Sequence, residues 1–419
     1  MFHVQNSLPN ALTGYMTPYA ISGFIVLFCM CIYLYLRLSY GFWFYQPVFH
    51  LYDLHYYIFP RGIVETSLPE RNRFTNTRDI ETLLFTDVAQ NYRLDKFTNF
   101  IRSHYLRNGA NTFLPTTQEV VPYFAEHKHP SFVSFYKDGK IVENKKTRAI
   151  TDVGQYIGVM TTRPLQLSIR FARDPPKKMY VYYVDYLCVH KYHRKKGIAP
   201  EIIQTHYHNQ RRMNPEILVN LFKREGEITG IVPLCTYPSY AYDVLSLSNQ
   251  ESVVPHTLIN VRCNEKNMHF LSDFLKDQSH QFDIHVCSDL ANFTELLRSN
   301  NYFVEYVVDQ RQENEVLAVY FFKKTRVFLA RKQEMIACIG SVKRKDIETS
   351  IFVEMFKHCF FSLQSPCSYL LIESLSHNVL LTDAVNQTTT PALTSPTAYF
   401  FHNYVHHSFS PKRTLILGT

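Results

Sequence analysis

Apolar positions divide this chain before any motif is considered. From Thr17 to Leu36 the sequence TPYAISGFIVLFCMCIYLYL carries no charged residue, and about 20 such residues suffice to cross a bilayer as a helix. No Asp, Glu, Lys or Arg precedes Arg37. Tyr33, Tyr35 and Trp43 fall where an interfacial aromatic belt would sit. A signal peptide would want a basic residue near Met1, and none is there. Arg37 and Arg61 follow the stretch, so the C-terminal bulk is expected on the cytosolic side of a single-pass anchor formed by residues 1–38. Residues 39–78, rich in Tyr, Phe and Pro without strong periodicity, are expected as an extended arm over a core.

From Asp79 onward the spacing alternates between two periods. Leu94, Phe97, Phe100, Ile101 and Tyr105 predict a helix within Tyr92–Leu106. Ser131–Tyr136 and Gln155–Met160 predict strands, and Met179–His190 (MYVYYVDYLCVH) predicts a central buried strand interrupted by Asp185. After a basic break at Lys191–Gly197, Ile198–Met213 predicts a helix with Pro200 in its first turn. Cys263–Leu297 again has a helical pattern. Strand-like runs follow at Phe303–Val308, Glu315–Phe322 and Met335–Val342, then a helix over Ile347–Leu363 and a strand over Tyr369–Ile372. Thr388–Pro396 reads as a turn-rich loop before a final strand, Tyr399–Tyr404. The second half repeats the first half's helix-then-strands order. The expected class is therefore α+β, with two units, 79–245 and 246–419, sharing one sheet.

Composition narrows this picture. Hydrophobic residues make up 46% of the 419, enough for large cores and unlike a disordered chain. The 44 basic and 36 acidic residues leave +8, which suits a polyphosphate ligand or an anionic membrane surface. Nine cysteines without a C-x-x-C pair give neither a zinc site nor a dense disulfide framework. No nucleic-acid-binding module is recognisable.

The chemistry concentrates in Tyr183–Arg212, YVDYLCVHKYHRKKGIAPEIIQTHYHNQRR. A buried strand runs into a basic, Gly-containing turn that opens a helix, where backbone N–H groups and the helix dipole favour anions. Arg194, Lys195 and Lys196 add positive charge, and Gly197 lets the backbone approach a phosphate. The run R-K-K-G-I-A fits the loose turn pattern of acetyl-CoA-dependent acyltransferases. His190 and His193 flank a strand-to-turn junction rather than one helix face, so no metal is expected. Cys188 reads as packing rather than as a nucleophile.

The longer string D-Y-L-C-V-H-K-x-x-R-x-K-x-x-A-P, Asp185 to Pro200, resembles the E-x-N-F-L-C-V-H-K-x-x-R-x-K-x-x-A-P signature of the glycylpeptide N-tetradecanoyltransferases (N-myristoyltransferases). Tyr40–Val48, YGFWFYQPV, is similar to that family's Y-K-F-W-x-T-Q-P-V, and Asn403, sixteen residues before Thr419, matches its Y-N-W near the C-terminus. The resemblance implies two fused acetyltransferase-like halves in a saddle-shaped sheet, the first binding acyl-CoA and the second building most of a peptide groove. It implies direct attack of an N-terminal glycine amine on the thioester of myristoyl-CoA, part of lipoprotein biosynthesis, without a metal. The backbone N–H groups of Tyr186 and Leu187 would form the oxyanion hole, freed by a bulge in the strand. The carboxylate of Thr419 would be the base, its ordinarily low basicity raised by burial. CoA would be held by Tyr40, Phe42, Trp43, Leu187, Val189, Arg194, Lys195, Lys196, Gly197, Ile198, Ala199 and Pro200, and the substrate by Tyr105, Phe113 and Tyr237. Partners would be N-terminal-glycine proteins and a membrane, with the enzyme a monomer.

Departures from the family pattern fall mainly on the peptide side. Asp185 replaces an Asn, and the acidic loop after the substrate tyrosine reads YLRNGAN, with Arg107, Asn108, Gly109 and Ala110 in place of acids. A Y-T pair near the glycine amine falls at Phe222 and Lys223, where a lysine ammonium would oppose a glycine ammonium. The K-F-G-x-G-D-G signature is replaced by DAVNQTTTPALTSP. These changes leave room for another amine acceptor, such as a lysine side chain, or for a catalytically silent acyl-CoA-binding membrane scaffold.

Overall fold

The computed structural model describes residues 18–60, 62–106, 111–139, 141–143, 150–152, 155–171, 175–226, 230–248, 254–311, 315–329 and 334–418. They fall into two units that divide between Gln46 and Pro47. The N-terminal unit is helix α1, Pro18–Tyr40, followed by a 3₁₀ turn at Trp43–Tyr45. Its Ile21–Tyr40 stretch of 20 residues, none of it buried, is long and apolar enough to cross a membrane. The helix continues past Leu36 and takes Arg37 into its last turn, where a cation is favoured by the dipole.

In the larger unit, helix α2 (Arg93–His104) precedes strands β1 (Phe132–Lys137), β2 (Tyr156–Ile169) and β3 (Lys177–Val189). Helix α3 (Ile198–Met213) leads to β4 (Val219–Glu225), and β5 (Cys235–Asp243) follows. Next come α4 (Met268–Gln278), β6 (Ile284–Cys287), α5 (Leu290–Arg298), β7 (Tyr302–Asp309), β8 (Glu315–Leu329) and β9 (Glu334–Lys343). Helix α6 (Thr349–Ser362), β10 (Tyr369–Glu373), β11 (Leu393–His402) and β12 (Thr414–Ile416) complete the set.

The two halves share one plan. β1, β2 and β3 pair antiparallel, and β3–α3–β4 is a parallel crossover. β7, β8 and β9 likewise pair antiparallel, and β9–α6–β10 is again a parallel crossover. β11 and β5 join the halves between β4 and β10, giving a mixed sheet of 15 strands among the described residues. This is the α+β architecture that the alternating periods predict, two units of like order sharing one sheet. Packing is close locally: a Cβ at Gly158 on β2 would lie 2.2 Å from Ile202 Cδ1 on α3, so any larger residue there would force the Ile202 side chain to move.

Three expectations are corrected. Cys263–Leu297 is not one helical segment, because β6 sits between α4 and α5. Its alternation, Ile284 and Val286 buried with His285 and Cys287 half-buried, spans four residues between two helical patterns that mask it. Within Thr388–Pro396, β11 already begins at Leu393. Tyr399–Tyr404 is not the last strand: β12 follows and pairs in parallel with β6, which itself pairs with the far end of β2. The segment around Glu65 is held by Asn403, buried with φ +64, whose amide donates to the carbonyls of Glu65 (2.8 Å) and Leu218 (3.0 Å) and accepts from the Glu65 N–H (2.7 Å).

Candidate active site

Strands β3 and β4 pair only from Val181–Val219 to Val184–Phe222 and then separate. Beyond that point β3 also changes register against β2: Thr162 faces Val184 and Met160 faces Leu187, so Asp185 and Tyr186 together oppose Thr161. The extra residue is a bulge. It frees Tyr186 from the strand ladder, but not from all partners: its N–H donates to Thr161 Oγ1 at 3.1 Å. Leu187 is 36% exposed, unlike its buried neighbour Cys188. Burial pushes the Cys188 thiol up to about 12, so it stays protonated and unreactive.

Below the bulge, His190 caps a short 3₁₀ turn at Lys191–His193. Lys195 (φ +62) and Gly197 (φ +81) then take left-handed conformations before α3 begins at Ile198. Lys195, Lys196 and Gly197 are exposed, Ile198 is buried, and Ala199 and Pro200 are half-buried in the first turn. Arg194 behaves differently from the lysines. Its guanidinium donates to the carbonyls of His104, at the end of α2, and of Val189 (3.3 Å), so it ties the turn to α2 rather than projecting outward. Tyr40, Phe42 and Trp43 lie in the N-terminal unit, at the end of α1 and in the turn after it, with the Phe42 and Trp43 rings 5.2 Å apart.

Asp185 opens onto a cavity of 540 Å³ also lined by Tyr105, Phe113, Tyr186, Lys223, Lys323 and Glu373. Three aromatic rings cluster there: Tyr105 is 5.1 Å from Phe113 and 5.6 Å from Tyr186, and Phe113 is 6.2 Å from Tyr186. Tyr237 stands behind this lining and donates to Glu373 Oε2 at 2.6 Å. The other oxygen of Glu373 accepts from Lys223 Nζ at 2.8 Å. Burial opposes the Lys223 charge, but Glu373 outweighs it and raises the pKa, keeping the ammonium charged and paired. The like-charge conflict expected at Lys223 is thus offset by a buried carboxylate. Sequence reading missed Glu373, although an acid closing the apolar run Tyr369–Ile372 was a visible signal.

The second missed residue is Arg163 on β2, fully buried. Its Nε and Nη2 donate to the two oxygens of Asp185 at 2.8 and 3.0 Å, and Nη2 also donates to the Gly418 carbonyl. Tyr123 and Tyr183 rings lie 5.3 and 5.6 Å from its guanidinium carbon. Its Nη1 has no hydrogen-bond partner among the described residues. The side chain that replaces the family's Asn therefore does not point loose into the cavity; it anchors an arginine that grips the C-terminal tail. Thr419 itself, and residues 107–110 of the altered loop, lie outside the described residues.

Lys323 faces the same cavity, 5.0 Å from the Tyr123 ring. Burial, with the Arg163 charge, pushes its amine down to about 8 despite Asp185. An unfolded lysine keeps its proton to about pH 10.4, so between these values the unfolded chain binds more protons and folding stability rises with pH. Lys323→Met should be most stabilising at pH 7.5. By pH 9.5 its advantage over the wild type should narrow by on the order of 1–2 kcal/mol, read from paired thermal melts.

No described protein family and no curated protein matches this sequence. Solved structures do. The Saccharomyces cerevisiae N-myristoyltransferase with bound myristoyl-CoA superposes with a TM-score of 0.67, covering 89% of this chain and 94% of its own at 12% identity. A second structure of it with bound myristoyl-CoA gives 0.68 at 11% identity, over 91% and 94%. This is the N-myristoyltransferase fold. A third, with bound myristoyl-CoA and inhibitors, gives 0.67 at 12% identity, over 92% and 97%. The likeness in fold thus covers 89% of this chain at 12% identity.

Proposed function

We propose that this protein is an acyl-CoA-dependent N-acyltransferase that moves a myristoyl-type chain to the α-amine of an N-terminal glycine. The observation that carries this reading is the bulge at Asp185–Tyr186. It sits where β3 and β4 part, between a basic turn at a helix start and an aromatic-lined cavity, in an N-myristoyltransferase fold. The turn Lys195–Pro200 would hold the CoA phosphates through backbone N–H groups and the two exposed lysines. The glycine amine nitrogen would attack the thioester carbonyl carbon, forming the C–N bond as the C–S bond breaks, and the proton that the attacking nitrogen then sheds would pass to the departing sulfur, so that CoA leaves as the thiol. The N–H groups of Leu187 and Tyr186 would hold the oxyanion, and for Tyr186 the Thr161 hydroxyl must yield its hydrogen bond. The proton leaving the ammonium would pass to the Thr419 carboxylate.

Arg163 holds the residue before that base, through the Gly418 carbonyl. Helix α1 would anchor the enzyme as a single-pass protein with the larger unit on the cytosolic side. An acceptor other than glycine is the second reading, favoured by the Lys223–Glu373 pair where the family positions the glycine amine. Transfer of labelled myristate from myristoyl-CoA to a panel of glycine-starting peptides tests both. Transfer abolished by acetylating the terminal glycine supports the first, and transfer that persists on acetylated, lysine-containing peptides supports the second. CoA binding without transfer to any peptide would leave neither standing.

A further inference from the structure

A larger cavity, 770 Å³, lies apart from the one beside Asp185. Its floor is the far end of β2 with β3 and β6, and its walls come from α4 and α5. The register of these strands sets Lys178, Ser168 and His285 in one row and Tyr180, Gln166 and Cys287 in the next. The alternate residues Leu165, Leu167 and Ile169, with Val181, Ile284 and Val286, fill a core cluster. A sheet face lying under amphipathic helices is ordinarily apolar too. Here it is polar, while the helices still offer Leu271, Leu275 and Phe293 to the cavity.

Three buried polar atoms of its lining, His285 Nε2, Ser288 Oγ and Arg170 Nε, have no hydrogen-bond partner among the described residues. Buried polar groups are rarely left so. Arg170 Nε can only donate, a serine hydroxyl can donate, and a neutral imidazole donates from one nitrogen. Burial, with Lys178 nearby, lowers His285 to about 4, so the ring is neutral at physiological pH. Arg170, Lys178 and Lys276 add positive charge to the lining, and its acid, Asp283, is occupied by Arg413 at 2.5 and 2.6 Å. Donors and cations above an apolar wall suit an anionic head with an apolar tail, and the volume lies within the about 300–1,000 Å³ common for small-molecule sites.

We propose that this cavity binds a long-chain carboxylate, with its head at Arg170, His285 and Ser288 and its chain against α4 and α5. The cavity also touches Leu417 and Gly418, so its occupant would lie against the tail that Arg163 grips from the other side. The test uses the full-length protein in zwitterionic nanodiscs with a twelve-carbon fatty acid carrying a photoreactive diazirine at its tail. Irradiation and peptide mapping should place label between residues 268 and 298. Excess decanoate should lower that label at least fivefold and decanol should not. Arg170→Gln should weaken labelling at least fivefold, and Leu275→Trp, which fills the cavity, should block it in a protein with an unchanged melting temperature. Label confined to residues 21–40 or to the 540 Å³ cavity, or equal competition by decanol, would overturn the proposal. Labelling is read without acyl transfer, so its outcome is separate from that of the enzymatic reading.

Discussion

Extending the chain by one glycine beyond Thr419 is expected to lower acyl transfer by about 10²–10⁴-fold, the range typical of a lost general base. The extension moves the terminal carboxylate by one residue while leaving the Gly418 carbonyl on Arg163. CoA binding should stay within a factor of two, because the basic turn and the β3–β4 opening are untouched. A single-turnover assay beside a CoA-binding titration separates these effects. Unchanged transfer by the extended chain would remove Thr419 from the mechanism and turn attention to Lys323, a cavity-lining amine that burial brings down to about 8.

Arg163→Met should have the largest effect on stability, a loss of about 3–5 kcal/mol. The cost comes from what remains: Asp185, its side chain 9% exposed, would lose its bidentate partner and face an apolar environment as an anion. The tail would also lose its hold on Gly418. The double variant Arg163→Met/Asp185→Asn, which removes both charges, should recover a substantial part of the loss. Thermal melts of the four proteins in a double-mutant cycle measure the coupling, and additive losses would show that the pair contributes little.

How much of this was legible beforehand depended on distance along the chain. The strand Met179–His190, the basic turn and the helix Ile198–Met213 are contiguous, so apolar period and turn chemistry revealed them together. The bulge was legible because a motif marked its residues. Lys223 with Glu373 and Arg163 with Gly418 are 150 and 255 residues apart, and each partner alone reads as an ordinary charged residue or a tail glycine. Lys223 therefore looked like a conflict when it is half of a pair, and Asp185, a plain departure from an Asn in the sequence, is an anchor for Arg163. Strand β6 escaped because four alternating residues between two helices carry less signal than either helix.

The late strand β12 has a consequence for how the protein is made. Residues 414–416 must find residues 284–286, and two residues further on Gly418 meets Arg163 on β2, the strand beyond β6. Such long-range parallel pairing forms slowly, because chain closure costs entropy before contacts repay it. Until it forms, the β6 edge, with Ile284 and Val286 on it, is an unpaired apolar edge of the kind that recruits other chains. The tail that completes the cavity thus also acts as the closing clasp of the sheet. Folding slowly enough to expose that edge would favour aggregation, so refolding yield should depend on the last five described residues more than their number suggests.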